Sequence, residues 1–236
     1  MKKSRIATLI VFFVLIPLTL IVGSRLSGRA FYVTSTLVIV ELLIPFFLAF
    51  EGRRPQAREL VVLAVMCALA VAGRVAIPIP SFKAIFGIIM IAGIAFGPES
   101  GFLVGAISAL ASNFFYSQGP YTPWQMMAYG AGGMLAGFVF AEGRLPRKPV
   151  VMGIFGFLAV AFFVGPLLDT CSVFLVMSRI SLKGAMAFYI SGFPVNLRQA
   201  VATAIVLLVL GKPLLEKLDR IKTKYGILDD EGRKKA

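Results

Sequence analysis

The least ordinary stretch of this chain is Asn113-Phe-Phe-Tyr-Ser-Gln-Gly-Pro-Tyr-Thr-Pro-Trp-Gln125. It carries no charge, two prolines that stiffen it, and the only tryptophan of the chain. Asn113, Tyr116, Gln118, Tyr121, Thr122, Trp124 and Gln125 offer stacking faces beside neutral hydrogen-bonding groups. Such a set suits a lid over a polar, ring-containing solute. A second reading stays open for Tyr121 and Trp124, because amphipathic rings gather at membrane–water interfaces with no ligand present.

Charges inside apolar segments are the second pointer, since they cost free energy unless they face a partner or a wet cavity. Arg74, Asp169 and Arg198 are such charges, with Asn196 and Gln199 next to the last. Two arrangements are open. In one, Arg198 pairs with Asp169, or both arginines reach out to the headgroups. In the other, they stand at the rim of an outward-facing pocket. Glu41 lies in a separate N-terminal segment and is expected to bond locally.

Catalysis finds little support. The chain has no histidine, which removes His-based acid–base chemistry and the commonest zinc ligand. Cys67 and Cys171 lie far apart in apolar stretches and read as small buried hydrophobes, so neither a metal site nor a cofactor is expected. The nearest approach to a phosphate-binding loop, Gly211-Lys212, is followed by Pro213 and has Val206 where the first glycine belongs. No carboxylate pair at helical spacing lies within the apolar segments to serve an intramembrane transferase. The expectation is a protein that is not an enzyme.

The elements that hold these residues are set by composition. Apolar residues make up 58% of the 236 and charged residues 15%, with a mean hydropathy of +0.89. A soluble domain has about 25% charged residues. The chain therefore reads as an all-α polytopic membrane protein. Ile6–Val22 and Ala30–Phe50 are two N-terminal spans, the second holding Glu41 and kinked at Pro45. Six apolar segments follow, at roughly 60–80, 84–97, 101–116, 122–141, 149–168 and 190–211. Within the half-polar stretch 169–189, the apolar piece Thr170–Ser178 either extends the fifth of these beyond Pro166 or lies along the membrane surface.

With both termini in the cytoplasm, seventeen of the 24 Lys and Arg residues fall inside and five outside, which sets the orientation. The net charge of +13 is then mostly topology and contact with anionic lipid, and no nucleic-acid partner is expected. Leu214, Leu218, Ile221 and Tyr225 form one apolar stripe on a basic tail, suited to the inner leaflet. The chain thus divides into an N-terminal extension (1–56), a six-helix unit (57–212) and a basic cytoplasmic tail (213–236).

Small residues supply a third pattern. Ala64, Ala68 and Ala72 make a smooth stripe at a spacing of four, and Gly101/Gly105 and Gly133/Gly137 repeat that spacing. The glycine pairs are assigned to packing within the chain. The alanine stripe is either internal packing or an external docking face.

Residues 57–212 resemble the substrate-binding S component of energy-coupling-factor (ECF) vitamin transporters. The resemblance rests on the alanine stripe, on the run Phe96-Gly-Pro-Glu-Ser-Gly-Phe-Leu-Val-Gly-Ala106, and on Ser112 to Met126. The last looks like the family loop S-N-F-F-x-x-Q-G-P-W-T-P-W-Q-M, with Tyr121 in place of the first Trp. The resemblance implies a six-helix bundle, here preceded by two extra transmembrane helices, that binds a vitamin without catalysis. It places the pocket at Ile77–Lys83, at Asn113–Gln125, and around Asp169, Asn196 and Arg198. It also implies that Ala64, Ala68 and Ala72 dock on a transmembrane coupling protein, the T component, driven by two ATPases. The Gln-Gly-Pro loop looks most like members assigned to cobalamin-type corrinoids, with riboflavin second; Asn196 stands where related sequences often carry Asp.

Overall fold

The computed structural model describes residues 10–15, 18–19, 22, 30–52, 56–140, 143–177 and 181–226. The first expected span is described only in part. Arg25, Arg29, residues 53–55, Arg179 and the tail beyond 226 lie outside the described residues. Among the described residues all regular structure is helical. The main helices are α1 (Ala30–Gly52), α2 (Ala57–Val75), α3 (Ile85–Phe96), α4 (Pro98–Tyr116), α5 (Thr122–Phe140), α6 (Pro149–Val176) and α7 (Leu182–Tyr225). Of these, α6 and α7 are long and apolar enough to cross a membrane, and α3 is a shorter apolar helix.

The short α3 is the centre of the molecule. Its sequence, Ile85 to Phe96, is apolar on every face, and all twelve residues are buried. A helix with no polar side must be surrounded, and α2, α4, α5 and α7 enclose this one. Glycine sets how closely. A Cβ added to Gly101 would stand 2.5 Å from the Gly133 carbonyl oxygen, and one on Gly93 would stand 2.1 Å from the same oxygen. A Cβ on Gly105 would lie 2.4 Å from the Tyr129 carbonyl oxygen. The backbones of α3, α4 and α5 therefore touch directly, and the glycine pairs pack helices within the chain as their spacing suggests.

One boundary settles an open alternative, and another differs from expectation. The fifth helix of the six-helix unit runs past Pro166 to Val176, and a π-helical turn at Val160–Val164 makes this possible. A proline inside a regular α-helix lacks its N–H and clashes with the carbonyl four residues back; a wider turn accommodates both defects. The last helix starts at Leu182 rather than 190 and continues to Tyr225 with Pro194 and Pro213 inside it. Ser181 caps its start, accepting a hydrogen bond from the Gly184 amide at 3.2 Å.

The C-terminal turns of α7 also depart from the sequence reading. Leu218 is buried in the main core, and Leu214 and Ile221 pack against it, so these three face the bundle instead of a leaflet, while Tyr225 stays exposed. Beside it, Lys222 donates to the Ala95 carbonyl at 2.6 Å and Arg147 to the Ile94 carbonyl at 3.2 Å. Two cations thus cap the open carbonyl end of α3, where the helix dipole is negative.

The N-terminal helix α1 packs on α4, α5 and α6. Leu43 and Phe47 meet Phe102 and Ala106, while Ile39 and Leu42 meet Trp124 and Cys171. Glu41 accepts a hydrogen bond from Thr19 at 2.5 Å, the local partner expected of it.

Gly101→Val would force α4 off α5. It is expected to destabilise the fold by about 1–3 kcal/mol, the usual cost of overpacking. Thermal unfolding in detergent measures this; an unchanged midpoint would mean that the helices separate freely.

Candidate functional site

One end of the bundle carries a connected polar cluster. The α4–α5 contact places Asn113, near the end of α4, beside Thr122 and Gln125 at the start of α5. Asn113 is fully buried. Its amide nitrogen donates to Thr122 Oγ1 at 3.1 Å and to Gln125 Oε1 at 2.8 Å. Thr122 Oγ1 donates to Gln118 Oε1 at 2.9 Å, and Gln118 Nε2 donates to the Leu110 carbonyl at 2.9 Å. Tyr121 donates from its hydroxyl to the Ser117 carbonyl at 2.8 Å. These bonds hold Ser117 at φ +79° and ψ 145°, a conformation that only glycine adopts without strain.

Arg74, at the end of α2, closes the cluster. Its Nη1 donates to Asn113 Oδ1 at 2.9 Å and to Ser112 Oγ at 2.5 Å. The guanidinium carbon lies 4.9 Å from the centre of the Tyr116 ring and 5.6 Å from that of Tyr129. Tyr116 returns a hydrogen bond from its hydroxyl to the Arg74 carbonyl at 3.0 Å. Cation–π contact and neutral hydrogen bonds thus hold this charge. Among the described residues no carboxylate lies within ion-pair distance of it.

The other expected site residues fall in separate places. Asp169 on α6 accepts a hydrogen bond from Asn196 on α7 at 2.7 Å, and its carboxylate lies against Gly192. Arg198 is exposed and donates to the Pro194 carbonyl of its own helix at 3.3 Å, so the alternative of an Arg198–Asp169 pair is not adopted. Lys83 bonds to the Ile77 carbonyl, closing the short loop between α2 and α3. The carbonyl of Lys83 accepts from Gln199 at 2.7 Å, tying that loop to α7.

Trp124 is 8% exposed and stacks on Phe174, with ring centres 5.5 Å apart, in a small cluster with Ile39 of α1. Its indole nitrogen is buried without a hydrogen-bond partner among the described residues. Two members of the polar end were missing from the candidate set, Ser112 and Tyr129. Tyr129 follows Gln125 by four residues on α5, a spacing that puts both on one helix face and is visible in the sequence.

A different surface holds the alanine stripe. On α2 the buried face is Glu59, Leu63, Met66, Cys67 and Ala70, whereas Ala64, Ala68 and Ala72 are exposed. They floor an apolar groove of about 760 Å³ between α2 and α4, walled by Leu103, Ile107 and Phe115. Among the described residues no cluster of three metal-ligating side chains occurs.

A family model described as "ECF-type riboflavin transporter, S component" matches residues 55–216. Comparison with curated proteins and with solved structures gives no match. The matched segment runs from the start of α2 into the last third of α7, and it contains the polar cluster, the alanine groove and the loop between them. The chain belongs to the S components of ECF transporters, the membrane proteins that serve vitamin uptake.

Proposed function

We propose that this protein is the cargo-binding subunit of an ATP-driven ECF importer, with riboflavin as its cargo. The observation that carries this reading is the family match over the whole six-helix unit. The polar cluster at the Arg74 end supplies groups suited to such a cargo: tyrosine rings for stacking and amides for hydrogen bonding. A cobalamin-type corrinoid is the second reading, favoured by the Gln118-Gly119-Pro120 sequence of the loop.

In this reading the protein spans the cell membrane several times with both termini cytoplasmic, as the distribution of Lys and Arg favours. The Arg74 end then faces outward. Residues 57–212 form the binding unit, with Lys83, Asn113, Tyr116, Gln118, Tyr121, Trp124, Gln125, Asp169, Asn196 and Arg198 as its candidate contacts. Residues 1–56 form an added membrane extension, and the tail from 213 meets the cytoplasm. The exposed Ala64, Ala68 and Ala72 dock on the T component, which two ATPases drive. The exposure of all three methyls along an open apolar groove supports that role.

Riboflavin is expected to bind the detergent-purified chain and lose fluorescence, without nucleotide. Calorimetry with cobalamin alongside separates the two cargos, and heat from neither vitamin would overturn the cargo assignment. Asn113→Ala removes the centre of the amide network and is expected to weaken binding by about tenfold or more. Unchanged affinity would take Asn113 out of the site. Ala68→Leu fills the groove on the opposite side of α2 from the core. It is expected to leave binding intact and to abolish uptake in vesicles that also hold the coupling subunits. Uptake at the unaltered rate would exclude the stripe from docking.

A further inference from the structure

Hydrogen bonding at the Arg74 end has a direction, and the arginine imposes it. A guanidinium only donates, so Asn113 must turn its oxygen to Arg74. The Asn113 nitrogen then uses both hydrogens on Thr122 and Gln125. Gln125 must in turn present its oxygen to Asn113, which leaves its Nε2 hydrogens facing away from the network. Thr122 gives its single hydrogen to Gln118, and Gln118 donates to Leu110. The loop amides are thus occupied with one another.

The hydrogens left over belong to three groups on one patch. They are Nε and Nη2 of Arg74, since Nη1 serves Ser112 and Asn113; Nε2 of Gln125; and the hydroxyl of Tyr129. Tyr129 is 6% exposed, and its hydroxyl has no hydrogen-bond partner among the described residues. Its ring stands 5.6 Å from the Arg74 guanidinium carbon and edge-on to Phe86, one helical turn beyond Gln125. Among the described residues the buried side-chain atoms without partners are Glu41 Oε2, Ser108 Oγ and Trp124 Nε1, so the three donors here reach the surface and are open to a ligand; a charge inside an apolar segment marks a functional site by default.

We propose that Arg74, Gln125 and Tyr129 form a donor face that selects the acceptor-rich edge of a neutral heteroaromatic cargo. That edge carries a carbonyl oxygen beside an unprotonated ring nitrogen, as riboflavin does at N1 with its C2 carbonyl and at N5 with its C4 carbonyl. The proposal rests on the riboflavin reading above and deepens it. Asn113, Thr122 and Gln118 act as positioning residues that aim the donors, and Arg74 is the specificity-determining contact.

The test uses the full chain in detergent, with riboflavin and its 1-deaza and 5-deaza analogues, each lacking one ring acceptor. Riboflavin affinity is expected to fall by about tenfold to a hundredfold in Arg74→Met, the range for a charge-assisted hydrogen bond. Tyr129→Phe removes one oxygen, keeps the ring, and is expected to weaken binding severalfold; it serves if Arg74→Met does not fold. One deaza analogue is expected to bind the unaltered chain about tenfold more weakly than riboflavin, and to show no such difference in Arg74→Met or, failing that, in Tyr129→Phe. A merely structural role would weaken riboflavin and both analogues equally, and that result overturns the proposal. So does riboflavin affinity within about twofold of the unaltered chain in every variant that folds. Binding of cobalamin in place of riboflavin would overturn the donor face while leaving the S-component reading intact. Binding of neither vitamin would remove both the cargo and the donor face assigned to it.

Discussion

The backbone contact between α4 and α5 is the constraint on which the rest depends. Gly101, Gly105 and Gly133 let the two helices approach until carbonyl oxygens occupy the space of a Cβ. At that separation the end of α4 and the start of α5 can share side-chain hydrogen bonds, and Asn113 reaches both Thr122 and Gln125. The same closeness seals α3, whose apolar surface has no other means of leaving solvent or lipid. Packing and polar site are therefore one design: residues with no side chain in the middle of the bundle fix residues with long polar side chains at its end.

Much of this was legible in the sequence. The six apolar segments, the glycine spacing and the uncharged amide-and-ring loop all declare themselves through composition and period. The boundaries left open or missed were those where tertiary packing overrides a local rule. Extension past Pro166 stayed one of two alternatives because a proline has no N–H to donate, and the π turn before it lets the helix continue. Residues 182–189 look half-polar because Ser181 caps a helix whose first turns are exposed. Arg74 and Asp169 could not be assigned partners from spacing alone. Their partners, Asn113 and Asn196, lie 39 and 27 residues away, and neutral amides took the places that an opposite charge would fill.

The N-terminal helix α1 adds a further layer to the polar end. Its Ile39 and Leu42 cover the Trp124–Phe174 stack, and Thr36 donates to the Pro120 carbonyl at 3.4 Å. The signature loop is thus held from behind by a segment outside the family match, which begins at residue 55. Helix α1 packs on Phe102 and Ala106 of α4, whereas Leu103, Ile107 and Phe115 of the same helix wall the alanine groove.

Helix α7 has 44 residues, roughly 66 Å of rod at 1.5 Å per residue, which is more than twice the hydrocarbon thickness of about 30 Å. Gln199, well inside the helix, fastens the loop at Lys83, and Lys222 near its C-terminal end fastens the carbonyl terminus of α3. The two fastenings sit on a single mast. Between them the helix is interrupted only by Pro213, so the loop at Lys83 and the carbonyl end of α3 are held in register by one continuous rod.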